Sequence, residues 1–358
     1  MTDRNVQASG GDYTTWAAWE AATPANLVTS TQTWRGLGAD ETFSEADLDI
    51  GTGVTTDATF YMEMATQAGT AFDGIAGQGP AIDEATGTAT DSGWVLQISA
   101  DYTRVTNIEV TNSQAKGATG DYAGILVAAG ADFVLLQRNI IHDIDSAVST
   151  RRSKGVLAPE DTGRTVYILN NIIYNMGGTD QGRGIEVGLF DATNTAHIIG
   201  NSLYNTSPHA SNGKGINVSF DNGAANVLHI YNNLVIGQNN DYDNQSTTGT
   251  TFNNSHNGSG DTTALGTSTQ QSLTASTEWV DLTGGSEDLH LDSGSTVLDD
   301  GSDRGTTPTN VEFDIDDYDR DAGAVTWDIG ADQQGLPAAA ATSITSQVMH
   351  HRKQLVGV

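Results

Sequence analysis

The sequence contains no cysteine and only 6 prolines among its 358 residues. Without cysteine the protein has no disulfide bonds and no thiol for catalysis or metal binding. Instead, 41 residues are glycine. A chain of this length and composition is sufficient for one elongated β-domain with a sizeable core.

Basic residues are also scarce, since 15 Lys and Arg face 45 Asp and Glu and leave a net charge of −30. Such a surface repels nucleic acid and anionic membranes, so we expect neither as a partner. No apolar run is long enough to span a bilayer. The opening "MTDRNVQASGGDYTTWAAWE" lacks a basic region followed by an apolar one. We therefore expect a protein made in the cytoplasm, without a Sec signal or membrane insertion.

Two phrases recur along the middle of the chain. The first occurs as "YTRVTNIEVTNS", "FVLLQRNIIHDI", "TVYILNNIIYNM", "TAHIIGNSLYNT" and "VLHIYNNLVIGQ", starting at Tyr102, Phe133, Thr165, Thr195 and Val227. The second is "GWVL", "GILV", "GVLA", "GIEV" and "GINV", at Gly93, Gly124, Gly155, Gly184 and Gly215. Both share a period of about 30 residues, which indicates a solenoid whose units bury their apolar faces by stacking on one another.

Each repeat is predicted to be a coil of β-strands. Apolar residues form two columns within short β-branched runs bounded by Gly, Asn and Asp: Val105, Leu136, Ile168, Ile198, Ile230 and Val110, Ile141, Ile173, Leu203, Val235. No window of this region shows a sustained helical pattern. Successive coils should lie about 4.8 Å apart, so that equivalent residues stack on their copies.

A column of asparagines follows from this register: Asn139, Asn171, Asn201 and Asn233. We expect these amides to point inward at a bend and to bond their copies above and below, as a structural ladder. Ile108 replaces asparagine in the first copy, and "FNNS" around Asn254 is expected to be a degenerate last copy. The alternative is a set of ordinary turn residues.

Several outward columns are too apolar and aromatic for a freely solvated face. Their binding candidates are His142, Tyr174 and Tyr204 on one column and Tyr167, His197 and His229 on another. Contact with other copies of the chain is the first interpretation. Burial beneath a loop is the second, and an aromatic platform for sugar rings is the third.

The sequence nominates no catalytic residue, no cofactor and no metal ligand. The neighbours of Glu186 in its column are expected to be Val95, Leu126, Leu157 and Asn217, so carboxylates do not stack on adjacent coils. Glu186 and Asp191 are the one pair that could act in a hydrolase. Asp317, Asp319 and Asp321, with Asp328 beyond them, alternate as in a calcium loop, but Ala322 stands where such a loop needs glycine.

The two ends of the chain differ in character from the repeats. Residues 13–22 are predicted to form an amphipathic helix whose Trp16 and Trp19 cap the first coil. The last 23 residues, 336–358, are low in charge until "HHRK" and apolar afterwards. We expect this tail to be an anchor to a capsid or a neighbouring subunit, through Arg352, Lys353, Leu355 and Val356.

The run "DLHLDSGSTVLDDG", followed by "DIDDYDRDAGAVTWDIGADQ", resembles the closing segment of right-handed parallel β-helix proteins of the pectate-lyase-like superfamily that end in a "DIGA" motif. The opening "GGDYTTWAAWEAA" and "TTDATFYMEM" resemble the start of β-helix proteins of bacteria and tailed phages. The resemblance implies an all-β, right-handed parallel β-helix. The expected divisions are a cap (1–50), coils (51–265), a closing β segment (266–335) and the tail (336–358).

Because this fold carries many activities, the resemblance leaves function open. The expectation is a non-enzymatic structural protein of a tailed-phage virion: a head decoration, spike or fibre. It would be a homotrimer that faces a host surface or polysaccharide and is released by lysis. The alternatives are a tailspike-like polysaccharide lyase or hydrolase, and a bacterial surface adhesin.

Overall fold

The computed structural model describes residues 2–70, 72–84, 93–112, 122–145, 152–159, 163–177, 181–188, 193–205, 212–219, 225–245, 250–321 and 326–334. Among them, no helix has the length and apolar character needed to cross a membrane.

Three parallel sheets run the length of the molecule, and each complete coil contributes one strand to each sheet. Sheet A has nine strands: β1 (Thr2–Val6), β2 (Trp34–Gly38), β5 (Met62–Thr66), β8 (Thr103–Thr106), β11 (Val134–Gln137), β14 (Thr165–Leu169), β17 (Thr195–Ile199), β20 (Val227–Tyr231) and β23 (Thr251–Ser255). Sheet B has eight: β3 (Thr42–Ser44), β6 (Ala81–Asp83), β9 (Glu109–Thr111), β12 (Ile140–His142), β15 (Ile172–Tyr174), β18 (Ser202–Tyr204), β21 (Leu234–Ile236) and β24 (Gly258–Ser259).

Sheet C has seven strands: β4 (Leu48–Ile50), β7 (Trp94–Ile98), β10 (Tyr122–Val127), β13 (Arg152–Ala158), β16 (Gln181–Gly188), β19 (Lys214–Ser219) and β22 (Asn240–Asn244). Three short helices and an antiparallel pair complete the described elements: α1 (Trp16–Ala21), α2 (Leu27–Ser30), α3 (Ala275–Glu278), β25 (Trp279–Asp281) and β26 (Asp288–Leu291). The expected right-handed parallel β-helix is confirmed.

The interior follows the predicted columns. Val105 pairs with Leu136, which pairs with Ile168, in the register that the first phrase gives. These residues are fully buried in one core cluster that runs from Val6 to Tyr242. Each coil buries its apolar side chains against identical positions one strand spacing away.

The asparagine ladder is confirmed, with one correction. Asn139 Nδ2 donates to Asn171 Oδ1 over 3.0 Å, and Asn171 Nδ2 donates to Asn201 Oδ1 over 2.9 Å. In the same way, Asn201 Nδ2 donates to Asn233 Oδ1, and Asn233 Nδ2 donates to Asn257 Oδ1. Asn257 is therefore the last rung. Asn254 instead pairs with Ile230, because "TFNNSHN" rather than "FNNS" aligns with the preceding copy.

The coils begin earlier than the expected boundary at residue 51. Trp34–Gly38 already pairs with both β1 and β5, and Leu48–Ile50 pairs with β7. Coils before residue 102 lack the ladder asparagine and have connections of unequal length, so the repeat is not readable there. Helix α1 forms as predicted, and Trp16 and Trp19 are fully buried against Gly36.

The closing segment, residues 266–334, has two parts. Thr267 and Gln270 bridge to the last coil, so this first part covers the end of the solenoid. The remainder lies along the outside of the coils. Its Trp279, Leu291 and Ile329 belong to a cluster with outward residues of sheet B, and its Val311 and Trp327 pack on Leu169 and Ile199 of sheet A. The segment therefore covers the outer faces of two sheets.

Candidate functional site

The aromatic column on sheet B has the predicted register but is covered by the chain itself. His142 pairs with Tyr174, and Tyr174 with Tyr204, on successive coils. Tyr174 is only 2% exposed and lies in a cluster with Trp279 of the closing segment. Intramolecular burial, the second interpretation of this column, therefore describes Tyr174. Its ring has no free face for another copy of the chain or for a sugar.

His142 is tied into the structure by two carboxylates. Its Nδ1 lies 2.7 Å from Asp143 Oδ2, and its Nε2 lies 3.0 Å from Glu109 Oε1. Burial disfavours the charged ring, but the hydrogen bonds to both carboxylates prevail and raise the pKa of His142 to about 9. Glu109 also accepts from the Gly77 amide at 2.6 Å. This histidine links two coils and a connection.

The second aromatic column lies on sheet A and is half-buried. The rings of Tyr167 and His197 stack with centroids 4.8 Å apart, and those of His197 and His229 stack at 4.4 Å. Burial, with His229 and Arg304 nearby, lowers the pKa of His197 to about 4. Because each ring is stacked on the next one, the ring faces are covered and only the ring edges point outward. A sugar that stacks on aromatic faces therefore finds no platform along it.

Sheet C carries a cluster of charged side chains. Lys154, Arg183 and Lys214 occupy one column on successive coils. Leu157, Glu186, Asn217 and Asp243 occupy a second column. Leu126 of that column pairs with Gln97 and not with Val95, because the "GWVL" copy is shifted by two residues.

A glycine between the two columns brings them together. A Cβ on Gly155 would lie 2.5 Å from Ile173 Cγ2, so this position turns toward the core and tolerates no side chain. Val156, which follows it, is also in the core. Two consecutive inward residues bend the strand, so that the outward side chains before and after the bend converge.

The contacts within this cluster are ionic and mostly buried. Glu186 accepts from Arg183 NH1 at 2.6 Å and lies 3.0 Å from Lys154 Nζ, while Lys214 pairs with Asp243. The side chains of Lys154 and Arg183 are 4% and 7% exposed, and that of Lys214 is 15% exposed. The cluster thus opens toward the Lys214 end.

Two donors in this cluster lack a hydrogen-bond partner among the described residues. They are Arg183 Nε and Asn217 Nδ2, both on buried residues. Asn217 Oδ1 accepts from Lys214 Nζ at 3.3 Å, which leaves its amide nitrogen beside the more exposed cation. Unsatisfied buried donors next to a cation are suited to an anionic oxygen ligand.

The closing segment contains a second charged group. His290 Nδ1 lies 2.5 Å from Asp288 Oδ1, and its Nε2 lies 3.1 Å from Asp316 Oδ1. Burial opposes protonation, but these two hydrogen bonds raise the pKa of His290 to about 11. Asp332 lies beside them and accepts from the Leu291 amide at 2.9 Å.

The aspartates that alternate as in a calcium loop have separate partners. Asp317 pairs with Arg138, and Asp319 Oδ1 accepts from the Asp321 amide at 2.9 Å. Asp321 Oδ1 accepts from the Trp327 indole at 3.0 Å, and Asp328 accepts from the Asp299 amide at 2.6 Å. These contacts are structural. The other predicted candidates, Asp191 and the tail with Arg352, Lys353, Leu355 and Val356, lie outside the described residues.

No protein-family description and no curated protein matches this sequence. Solved structures with a similar course of the chain include the deglycosylated pectin methylesterase of Aspergillus niger, at 13% identity over 68% of this chain and 89% of that one, with a TM-score of 0.38. A pectin methylesterase in complex with hexasaccharide VII shows 12% identity over 76% and 93%, with a TM-score of 0.38. Pectate lyase Pel9A shows 14% identity over 89% and 91%, with a TM-score of 0.37. At these values no conclusion about this chain is drawn from the similarity.

Proposed function

We propose that the protein binds an acidic polysaccharide, and that the charged cluster on sheet C receives one of its anionic groups. The observation that supports this function is the column of Lys154, Arg183 and Lys214 in a chain whose net charge is −30. Like charges one strand spacing apart repel one another, and among the described residues Glu186 and Asp243 are carboxylates that contact these cations. A carboxylate or sulfate of a glycan would add a negative charge to this column and reduce the repulsion.

The ligand would approach at the Lys214 end, where exposure is greatest. There the Lys214 ammonium is the more exposed donor for an anionic oxygen, and the buried Asn217 Nδ2 and Arg183 Nε, which have no hydrogen-bond partner among the described residues, lie behind it. Charge-assisted hydrogen bonds of this kind are roughly twice as strong as neutral ones. A neutral glycan would gain none of this energy, so the site should discriminate by charge.

A binding assay with matched polysaccharides tests this function. Polygalacturonate should bind and dextran should not, and affinity should fall as salt is added. Lys214→Gln should reduce affinity for polygalacturonate by about tenfold. Arg304→Gln removes the same charge from the closing segment, where Arg304 stacks on Tyr231 of sheet A, and should leave binding unchanged. Equal binding of both polymers, or equal loss in both variants, would exclude the cluster as the site.

Catalysis is a second candidate, because Glu186 is a carboxylate held between Lys154 and Arg183. Incubation with acidic and neutral polysaccharides, followed by assays for new reducing ends and for unsaturated uronate absorbance, separates an enzyme from a binding protein. Activity that disappears in Glu186→Gln would establish the enzyme. Binding without product formation would establish the non-enzymatic role.

For the location we propose a tailed-phage virion, in which the protein is a homotrimeric decoration, spike or fibre. The support is the resemblance of the opening and closing segments to β-helix proteins of phages and bacteria. Mass spectrometry of purified particles tests the location, and light scattering tests the trimer. Detection on a bacterial surface without particles would favour the adhesin.

A further inference from the structure

The group around His290 has a geometry that suits a metal ion. His290, Asp316 and Asp332 each offer one ligand atom, and these three atoms lie within 4.8 Å of one another. His290 Nε2 and Asp316 Oδ1 are 3.1 Å apart. In a tetrahedral zinc site with bonds of about 2.0–2.1 Å, two ligand atoms are about 3.3 Å apart. The observed separation therefore requires little movement to admit an ion.

The surroundings of His290 hold its ring in one orientation. Asp288 Oδ1 contacts Nδ1, so the other nitrogen is directed away from this carboxylate and toward Asp316. A carboxylate on the far nitrogen is the usual support of a metal-bound histidine. Gly74 packs on the same edge of the ring, since a Cβ there would lie 2.8 Å from Nε2. The ring is thus fixed on both sides.

An independent observation is a buried carboxylate oxygen without a partner. Asp314 is 0% exposed, and its Oδ2 has no hydrogen-bond partner among the described residues. Its Oδ1 is engaged by the amides of Asp316 and Tyr318. Asp314 interacts electrostatically with Arg320 first and then with Asp332 and Asp316, so this buried carboxylate lies beside the three ligands without being one of them.

The charges of the region favour a cation as well. Asp288, Asp314, Asp316 and Asp332 are four carboxylates, and the permanent cations that interact with Asp314 are Arg320 and Arg138. A divalent ion held by Asp316, Asp332 and the imidazole would place a positive charge in direct contact with two of these carboxylates. An imidazole among the ligands favours zinc or a similar transition metal over calcium.

We propose that His290, Asp316 and Asp332 bind one divalent transition-metal ion of the zinc class, with Asp288 as the supporting carboxylate. The ion would join three separate stretches of the closing segment beside Gly74 and so fix the segment on the coils. The site is distinct from the charged cluster on sheet C, and its test does not depend on glycan binding.

Calorimetry on the full chain, produced without a histidine tag and treated with EDTA, tests the site. Zn²⁺ should bind at one equivalent and raise the melting temperature, whereas Ca²⁺ should do neither. His290→Gln should abolish this binding. His350 and His351 in the tail are also able to bind zinc. The matched control is therefore the double variant His350→Gln with His351→Gln, which should still bind one equivalent of Zn²⁺.

Two further measurements keep the test decisive if His290→Gln folds poorly. Asp288→Asn leaves all three ligands in place and should weaken zinc binding by 10- to 100-fold. X-ray absorption of the zinc-loaded wild-type protein should show nitrogen and oxygen ligands that include one imidazole. No zinc binding by the wild type, unchanged binding in His290→Gln, or loss of binding only in the tail variant would overturn the proposal.

Discussion

Replacing one rung of the ladder tests how much the asparagines stabilise the coils. In Asn171→Leu four side-chain hydrogen bonds disappear: those from the Asn139 backbone amide and Asn139 Nδ2, and those to Leu136 O and Asn201 Oδ1. The Asn139 amide then has no acceptor, although Asn139 Nδ2 keeps Val105 O. Each rung therefore satisfies both a backbone group and a neighbouring amide.

The magnitude follows from these contacts. Four hydrogen bonds at about 1 kcal/mol each, together with an orphaned buried amide at about 1–3 kcal/mol, amount to roughly 6 kcal/mol. The greater apolar surface of leucine recovers about 2–3 kcal/mol. The expected net loss in the free energy of unfolding is about 3 kcal/mol. Asn171 is fully buried, so solvent cannot replace the lost partners.

Urea unfolding followed by circular dichroism measures this loss. Asn253→Leu is the matched control, because Asn253 lies on an outward column of β23, the last strand of sheet A, and is partly exposed. It should change stability by less than about 0.5 kcal/mol. If both variants unfold at the same urea concentration as the wild type, the ladder amides are energetically equivalent to turn residues exposed to water.

Three further changes probe the covered face, the pH dependence and the tail. Tyr174→Asp should lower the free energy of unfolding in urea by about 4 kcal/mol, because a carboxylate replaces a ring buried under the closing segment. If the variant is as stable as the wild type but has a smaller mass in light scattering, the oligomer interpretation is correct instead. In the metal-free protein the pKa values of His142 and His290 are raised to about 9 and 11, so above pH 6.5 the folded protein holds more protons than the unfolded chain. The melting temperature of the metal-free protein should therefore fall from pH 6.5 through pH 9 to 11. In His142→Gln the part of this fall below pH 9 should be smaller. Deleting residues 336–358 should leave melting unchanged but abolish incorporation into particles, whereas wild-type copy number would reject the anchor.

The repeating part of the fold is readable from the sequence because one coil corresponds to one period. Inward columns and the ladder follow once the copies are aligned, since strand register fixes which residues stack. Alignment of the copies did not reveal a second column, in which side-chain oxygens accept hydrogen bonds from the backbone of neighbouring coils. Asp132 accepts from the Thr165 amide at 2.5 Å, and Asn194 accepts from the Arg164 amide at 2.9 Å. Asp132, Arg164 and Asn194 occupy equivalent positions of successive coils, so no single residue type repeats along this column.

The course of the closing segment could not be read from the sequence. Gln137 donates to Asn310 O across 173 positions at 2.6 Å, and such contacts have no period. The charged cluster was visible as a cation before glycine in three copies, "KG", "RG" and "KG". The sequence did not predict that Gly155 faces the core. This orientation brings the side chains of Lys154 and Glu186 into contact.

The paired asparagines of the repeat have two different tasks. The first of each pair, Asn170 or Asn232, has a φ near +54° and points outward, and asparagine is among the few residues that adopt this conformation readily. Asn170 Nδ2 donates to Val311 O at 3.0 Å, and Asn232 exchanges two hydrogen bonds with the Ser302 backbone. The second of each pair is the ladder rung. One dipeptide thus orders the interior and positions the closing segment at sites two coils, about 9.6 Å, apart. Because that segment already occupies these outer amides and the apolar faces beside them, a trimer of this protein would have to form through other surfaces.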